Sequence, residues 1–220
     1  MVLQTTARTA IDKNRKKQYP IGMKSKNLLI IVAVIVIAAF SVYRFFVGNY
    51  NTIVTYDENV EAQWAQVQNQ YQRRQDLIPN LVATVKGYAS HEQDTFVQVT
   101  QARAAAEGFA GAGVPKDAKE MENFQNAQNA LTLGVRSLLA VAENYPELKA
   151  NQNFLALQDQ LEGTENRIAV ARKDYNKSVQ VYNTFIRRFP QSIIANQHGF
   201  EKRPQFAASQ EAQSAPKVEF

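Results

Sequence analysis

At 220 residues, 45% of them apolar, the chain has material for one modest core and one further element. It has no cysteine, which excludes disulfides, thiolate nucleophiles and cysteine-held metals. The net charge of +5 is unevenly placed: residues 1–27 hold seven lysines and arginines against Asp12 alone, whereas from Gly48 onward 17 basic residues face 19 acidic ones. No basic face for a nucleic-acid backbone survives that split.

The basic tail, residues 1–27, precedes the run "LLIIVAVIVIAAFSVY" from Leu28 to Tyr43, which Phe45, Phe46 and Val47 extend past Arg44. A span over 28–47 is about 20 residues, enough for a helix to cross a bilayer. Arg44 can reach the interface on its long stem, and Tyr43 and Tyr50 stand where interfacial aromatics are placed. A buried core helix is disfavoured because the run has no polar face. A cleaved signal peptide is disfavoured by the long leading region and by bulky Phe45 and Phe46. Cations before the span and none soon after it predict a cytoplasmic N-terminus, with residues from Gly48 onward outside.

Residues 48–190 read as helix throughout. A 3-4 stripe runs through Tyr50, Ile53, Val60, Trp64, Val67, Tyr71 and Ile78, and a second through Leu81, Val85, Tyr88, Phe96, Val99 and Ala106. A third follows Met121, Phe124, Gln128, Leu131, Val135, Leu138, Ala142 and Tyr145. The fourth runs from Phe154 through Leu161, Ile168, Tyr175 and Tyr182 to Phe189, about five heptads. Four such stripes, punctuated by Pro79, the "GFAGAGVPK" stretch, Pro146 and Pro190, predict an all-α fold. Its architecture is a single N-terminal transmembrane helix followed by an antiparallel up-down four-helix bundle. Residues 191–220 are expected to form a partly disordered C-terminal tail.

The stripe crosses Pro79 without slipping, so one kinked helix from Tyr50 to Glu107 is compatible with periodicity. At about 90 Å against about 45 Å for the third helix, it would leave its apolar face bare. A reversal near Asp76 is therefore expected, with Asp76 as N-cap and Pro79 in the first turn.

The stretch "WAQVQNQYQRRQDLIPNLVATVKGYASHE" (64–92), with "ARAAA" (102–106), "RKDYNKSVQVYNTFIRRFP" (172–190) and "GF" (199–200), resembles the LemA family. Gln63 departs from the small residue usual there. The resemblance implies a bacterial membrane-anchored protein with a four-helix ectodomain. It brings no established enzyme chemistry; members are linked to envelope processes and some to remodelling of intracellular membranes.

No residue set points to catalysis. His91 has no partner at metal-ligand spacing, the other histidine being His198. Asp57, Glu58 and Glu61 are acids near a helix start, where the dipole favours them. Ser90 and His91, adjacent on a helix, diverge by about 100°. "GFAGAGVPK" lacks the ending of a phosphate loop. The pairs Tyr50-Asn51, Tyr175-Asn176 and Tyr182-Asn183 put tyrosine on the stripe with its hydroxyl near a polar seam. No cofactor or metal is expected, and the chain is not read as an enzyme.

In an up-down bundle the turns at 73–80 and 143–149 share the pole distal to the membrane. That juxtaposes Arg73, Arg74 and Asp76 with Glu143 and Glu147, either as ion pairs or as a surface docking a partner. The 108–116 loop and the tail then lie toward the bilayer, with Phe109, Val114, Ile193, Ile194 and Phe200 as membrane contacts. The expected role is a non-catalytic interaction module in the bacterial inner membrane, its bundle periplasmic or extracellular. Its partners would be the lipid bilayer and other envelope proteins, not nucleic acid; the alternative is a homo-oligomer that remodels membranes.

Overall fold

The computed structural model describes the backbone of residues 21–207 and the side chains of residues 26–207. Regular structure among the described residues is entirely helical: α1 (Ile21–Lys86), α2 (Gln93–Glu107), α3 (Ala118–Val141), α4 (Pro146–Lys149), α5 (Gln152–Arg187) and α6 (Gln191–His198). The chain divides into two units, Met1–Val47 and Gly48–Phe220, and α1 contributes to both.

In the first unit every described side chain is exposed, including Leu29 at 69% and Ile37 at 65%. A helix that shows apolar side chains all round is stable only where lipid replaces water, and this one is long enough and apolar enough to cross a membrane. Its lone hydroxyl group between Leu28 and Tyr43, on Ser41, donates to the Ile37 carbonyl at 2.8 Å and so is satisfied within the helix.

The second unit has two apolar clusters. In one, Ile78, Leu81 and Val85 of α1 meet Phe96, Val99 and Ala106 of α2, Leu131 and Leu138 of α3, and Phe154 and Leu161 of α5. In the other, Ile53, Val60 and Trp64 of α1 meet Met121 and Phe124 of α3 and Ile168, Tyr175 and Tyr182 of α5. Helix α5, with 36 residues, is about 54 Å long, whereas α2, with 15, is only about 22 Å. Helix α2 therefore joins only the first cluster. In the second its place is taken by Ile194 and Ala195 of α6 and by Phe206, all buried. Ile194, Ala195 and Phe206 thus tie residues 191–207 to the core, and this stretch is not a tail outside it; residues 208–220 lie outside the described residues.

The reversal expected near Asp76 does not occur. Helix α1 continues through Pro79 to Lys86, and the chain turns at 87–92. The element that matches it is α5, and a helix running from Gly48 to Lys86 is nearly the same length. Proline at 79 has no N–H for the Gln75 carbonyl, which is buried at a residue 3% exposed. The Arg103 Nε of α2 donates to that carbonyl at 3.4 Å. A proline inside the helix is tolerated because a side chain from the next helix replaces the missing donor. Arg103→Ala should therefore cost about 1 kcal/mol. In the Pro79→Ala background, where the backbone N–H is restored, the same change should cost less. Chemical denaturation of the four members of that cycle measures the difference.

The helix starts are capped elsewhere. Asp117 accepts from the Glu120 N–H while Glu120 accepts from the Lys116 N–H, both at 2.8 Å, and the two bonds together fix the start of α3. Asn151 accepts from the Asn153 and Phe154 amides at the start of α5. Gly199, at φ 73°, ends α6 in the left-handed conformation that L side chains resist.

Candidate functional site

Of the residues expected at a shared pole, Arg73, Arg74 and Asp76 lie inside α1, ten or more residues before its end. Arg73 and Asp76 are exposed, and Asp76 accepts from the Gln72 amide at 2.8 Å instead of capping a helix. Glu143 pairs with Lys149 at 2.7 Å, and exposed Glu147 lies in the first turn of α4. The segment that meets this connection is 87–92, through Tyr145 Oη to Glu92 at 3.4 Å and Asn151 Nδ2 to Tyr88 Oη at 2.9 Å. The expected pairing of Arg73 and Arg74 with Glu143 and Glu147 is replaced by this contact.

Arg74 is a core residue, 2% exposed. Its Nη1 donates to Thr132 Oγ1 and Glu165 Oε1, both at 2.8 Å. Its Nη2 donates to Gln128 Oε1 at 2.6 Å and to the Gln128 carbonyl at 3.2 Å. The guanidinium also lies 5.0 Å from the Tyr71 ring centroid. Burial raises the Tyr71 phenol above its ordinary range, with the Arg172 and Arg74 charges opposing. Gln128, on the third stripe, and Thr164, at the 3-residue step between Leu161 and Ile168 of the fourth, are buried polar positions on inward faces. Arg74 falls at the 3-4 step between Tyr71 and Ile78 of the first stripe, so the spacing itself points it inward.

The residues expected to touch the membrane are mostly packed against protein. Ile194 is 2% exposed and belongs to the core, which corrects its assignment to the bilayer. Phe109, Val114 and Phe200 pack partly buried against the same cluster, and Ile193 is half exposed. The glycine-rich loop is held by Trp64 Nε1, which donates to the Ala112 carbonyl at 3.2 Å.

The tyrosine–asparagine pairs of α5 are where the structure assembles most polar contacts. Asn183 Nδ2 donates to the Arg203 carbonyl at 2.9 Å and Asn183 Oδ1 accepts from the Arg203 N–H at 3.0 Å. Asn176 repeats the pattern on Phe206, at 3.1 and 2.9 Å. Tyr175 Oη donates to the Pro204 carbonyl at 2.9 Å. The Arg203 guanidinium forks onto Asp57 of α1, Nε to Oδ1 and Nη2 to Oδ2, both at 3.1 Å. Phe206, 6% exposed, enters among the rings of Trp64, Phe124 and Tyr175, with the Arg172 guanidinium 4.6 Å from its centroid. The expectation for the tyrosines, packing with a hydroxyl at a polar seam, holds for Tyr175. The asparagines' role was missed; the signal available was their heptad repeat beside the stripe.

Asp57 and Glu61 thus face Arg203, at 3.0 and 3.9 Å. Among the described residues no group of three or more His, Cys, Asp and Glu side chains is placed to hold a metal. Burial also pushes the Tyr182 phenol up to about 12, with the Asp57 carboxylate adding to the shift, and raises Tyr175 in the same direction. A phenol that ionises less readily when folded binds its proton more tightly in the folded state. Its stabilising effect is complete below about pH 10, the unfolded value, and is lost as pH rises toward 12. Thermal melts should therefore fall steeply between about pH 10 and 12, and Tyr182→Phe should flatten that slope.

With this geometry in view, a family model described as LemA family matches residues 63–220. The chain belongs to the LemA family. The match covers both core clusters for most of their residues and begins one residue before Trp64. Among relatives, this LemA-family chain is 26% identical over 205 residues to magnetosome protein MamQ 2 of Paramagnetospirillum magneticum, covering 84% of this chain and 74% of that one. It is 24% identical over 198 residues to magnetosome protein MamQ of Magnetospirillum gryphiswaldense, covering 82% and 72%. It is 22% identical over 187 residues to protein LemA of Metamycoplasma hominis, covering 84% and 80%.

Proposed function

We propose that this LemA-family protein is a single-span protein of the bacterial inner membrane whose second unit is a non-catalytic interaction module. The observation that carries the reading is the exposed apolar helix of residues 28–47, joined without a break to a helical unit of a recognised family. The order of α1, α2, α3 and α5 and their shared clusters favour an antiparallel four-helix bundle in which α6 and the segment 200–207 complete one half. The charges near its interior support a structural use: Arg74 serves Glu165 and Gln128, and Arg203 serves Asp57. The relatives named as magnetosome proteins add support for a place at a membrane.

The seven cations before the span support a cytoplasmic N-terminus and a second unit outside. A reporter active only in the cytoplasm, fused after Phe220, should be silent, and activity there would reverse the orientation. For partner docking, Arg73 is the test position because it is exposed. Arg73→Glu should leave the melting temperature nearly unchanged while removing proteins that co-purify from gently solubilised membranes. Retention of the full set would exclude docking through Arg73.

A further inference from the structure

We propose that the junction of α5 and α6, through Arg187, Arg188, Phe189 and Ile193, is a second membrane contact, which lays Phe189 into the interface of the bilayer that the span crosses and sets the two arginines on anionic lipid headgroups. This deepens the single-span reading and rests on it.

Chain connectivity brings the junction to the bilayer. Phe185 of α5 packs on Tyr56 of α1 with ring centroids 5.1 Å apart, and Gln191 Nε2 donates to Asn49 Oδ1 at 3.0 Å. Between these contacts α1 is followed backward from 56 to 49, so the end of α5 leads toward the residue where the apolar run stops. Asn49 follows Val47, the last residue of that run, by two positions, and two residues reach at most about 7 Å in any conformation. A segment bonded to Asn49 is therefore held within reach of the headgroups whatever angle the two units make. Tyr50 fastens the end of α6 in the same way, its ring centroid 4.9 Å from His198 and 5.9 Å from Phe200.

The junction has the surface that this place requires. Phe189 is 81% exposed and Ile193 50%, although Ile186 and Ile194 beside them are buried in the core. Leaving both in water forgoes burial that lipid supplies. Two side chains make too small a patch for a stable protein interface, which buries about 800 Å² per partner, whereas a lipid surface is already held beside them by the span. Charge divides the same way. From Gly48 onward basic and acidic residues nearly balance, yet 48–56 carries no charge and 175–200 no acid. Arg187 and Arg188 are exposed next to Phe189, and among the described residues neither forms an ion pair. A guanidinium meets phosphate oxygens as a two-pronged donor, and basic side chains at a membrane surface favour anionic lipid. An apolar ring flanked by such cations is the composition of an interfacial anchor.

The test places tryptophan at single positions of the full chain in vesicles whose lipids carry bromine on the acyl chains as quencher. Trp64, the one native tryptophan, is buried and supplies a constant background. In phosphatidylcholine with about 30% phosphatidylglycerol, emission added by Phe189→Trp should be quenched at least about twofold more than in phosphatidylcholine alone. Arg187→Glu with Arg188→Glu should remove that difference. Phe40→Trp, inside the span, should be quenched in both lipids. Leu133→Trp, at an exposed site, should be quenched in neither: Arg74, which bonds to Thr132, lies 25 residues after Asn49, about 37 Å along α1. If Phe40→Trp is quenched and Phe189→Trp no more than Leu133→Trp, the second contact is overturned while the span stands. An unquenched Phe40→Trp would instead overturn the span reading, and the contact with it. Equal quenching at 189 in the two lipids, or quenching that survives reversal of both arginines, would overturn the anionic-lipid assignment. Emission at 189 that ignores the bromine but shifts to the blue as protein concentration rises would give the junction to a second copy, and overturn the lipid contact.

Discussion

Trp64→Ala should destabilise the helical unit by about 3–5 kcal/mol, or unfold it, while Gln66→Ser should be nearly silent. Trp64 is 3% exposed, and its ring lies 5.1 Å from Phe124, 5.3 Å from Tyr175 and 6.0 Å from Phe206. It is thus the meeting point of α1, α3, α5 and the segment 200–207, and its Nε1 also anchors the 108–117 loop through Ala112. Truncation removes contact with three rings, which belong to different elements that cannot all collapse inward together. Gln66 is exposed on the same helix, so its replacement controls for any effect on helix propensity. Urea denaturation of the two variants against the parent is the measurement. Comparable losses would mean that the face assigned to the core is wrong.

Arg74→Ala should be of similar size, about 3–5 kcal/mol, for a different reason. The guanidinium is the shared donor for Gln128, Thr132 and Glu165, so its removal leaves Gln128, 3% exposed, without its principal partner. Glu165 is another matter: its side chain is 46% exposed and can turn to water. Glu165→Gln should therefore cost far less than Arg74→Ala, since the buried cation keeps Gln128 and the Tyr71 ring. Thermal unfolding of both variants tests the asymmetry. If the glutamate change costs as much as the arginine change, the stability resides in the ion pair and not in the buried donor network.

Both predictions depend on positions whose inward face was legible without coordinates. The 3-4 stripe places Trp64 and Arg74 on one side of α1, and the stripes of α3 and α5 are buried over most of their length. Phe189, the last position of the fourth stripe, is 81% exposed because α5 ends at Arg187. Late in α5 the buried positions come to include Val179 and Ile186, off strict heptad spacing, beside Tyr182 on it. A straight helix of 3.6 residues per turn drifts relative to a 3.5 repeat, and nothing local to the sequence announces where packing follows the drift.

Composition and spacing alone gave away the helical class, the apolar span with its basic leader, the inward faces of the helices before residue 190 and the family. Each of these is a property of composition, or of spacing within one segment, and both are present in the chain before it folds. Where the chain reverses was decided by tertiary structure. Pro79 signals a boundary locally, but the Gln75 carbonyl it leaves without a donor is met by Arg103, 28 residues further on. The length of α2 decided the fate of the C-terminal segment in the same way. A helix of 15 residues leaves half of a longer groove uncovered, and Phe206, reached through Asn176 and Asn183, fills it. Periodicity reports which way a side chain faces; which distant group satisfies a freed carbonyl or an open groove depends on elements brought together only when the chain is folded.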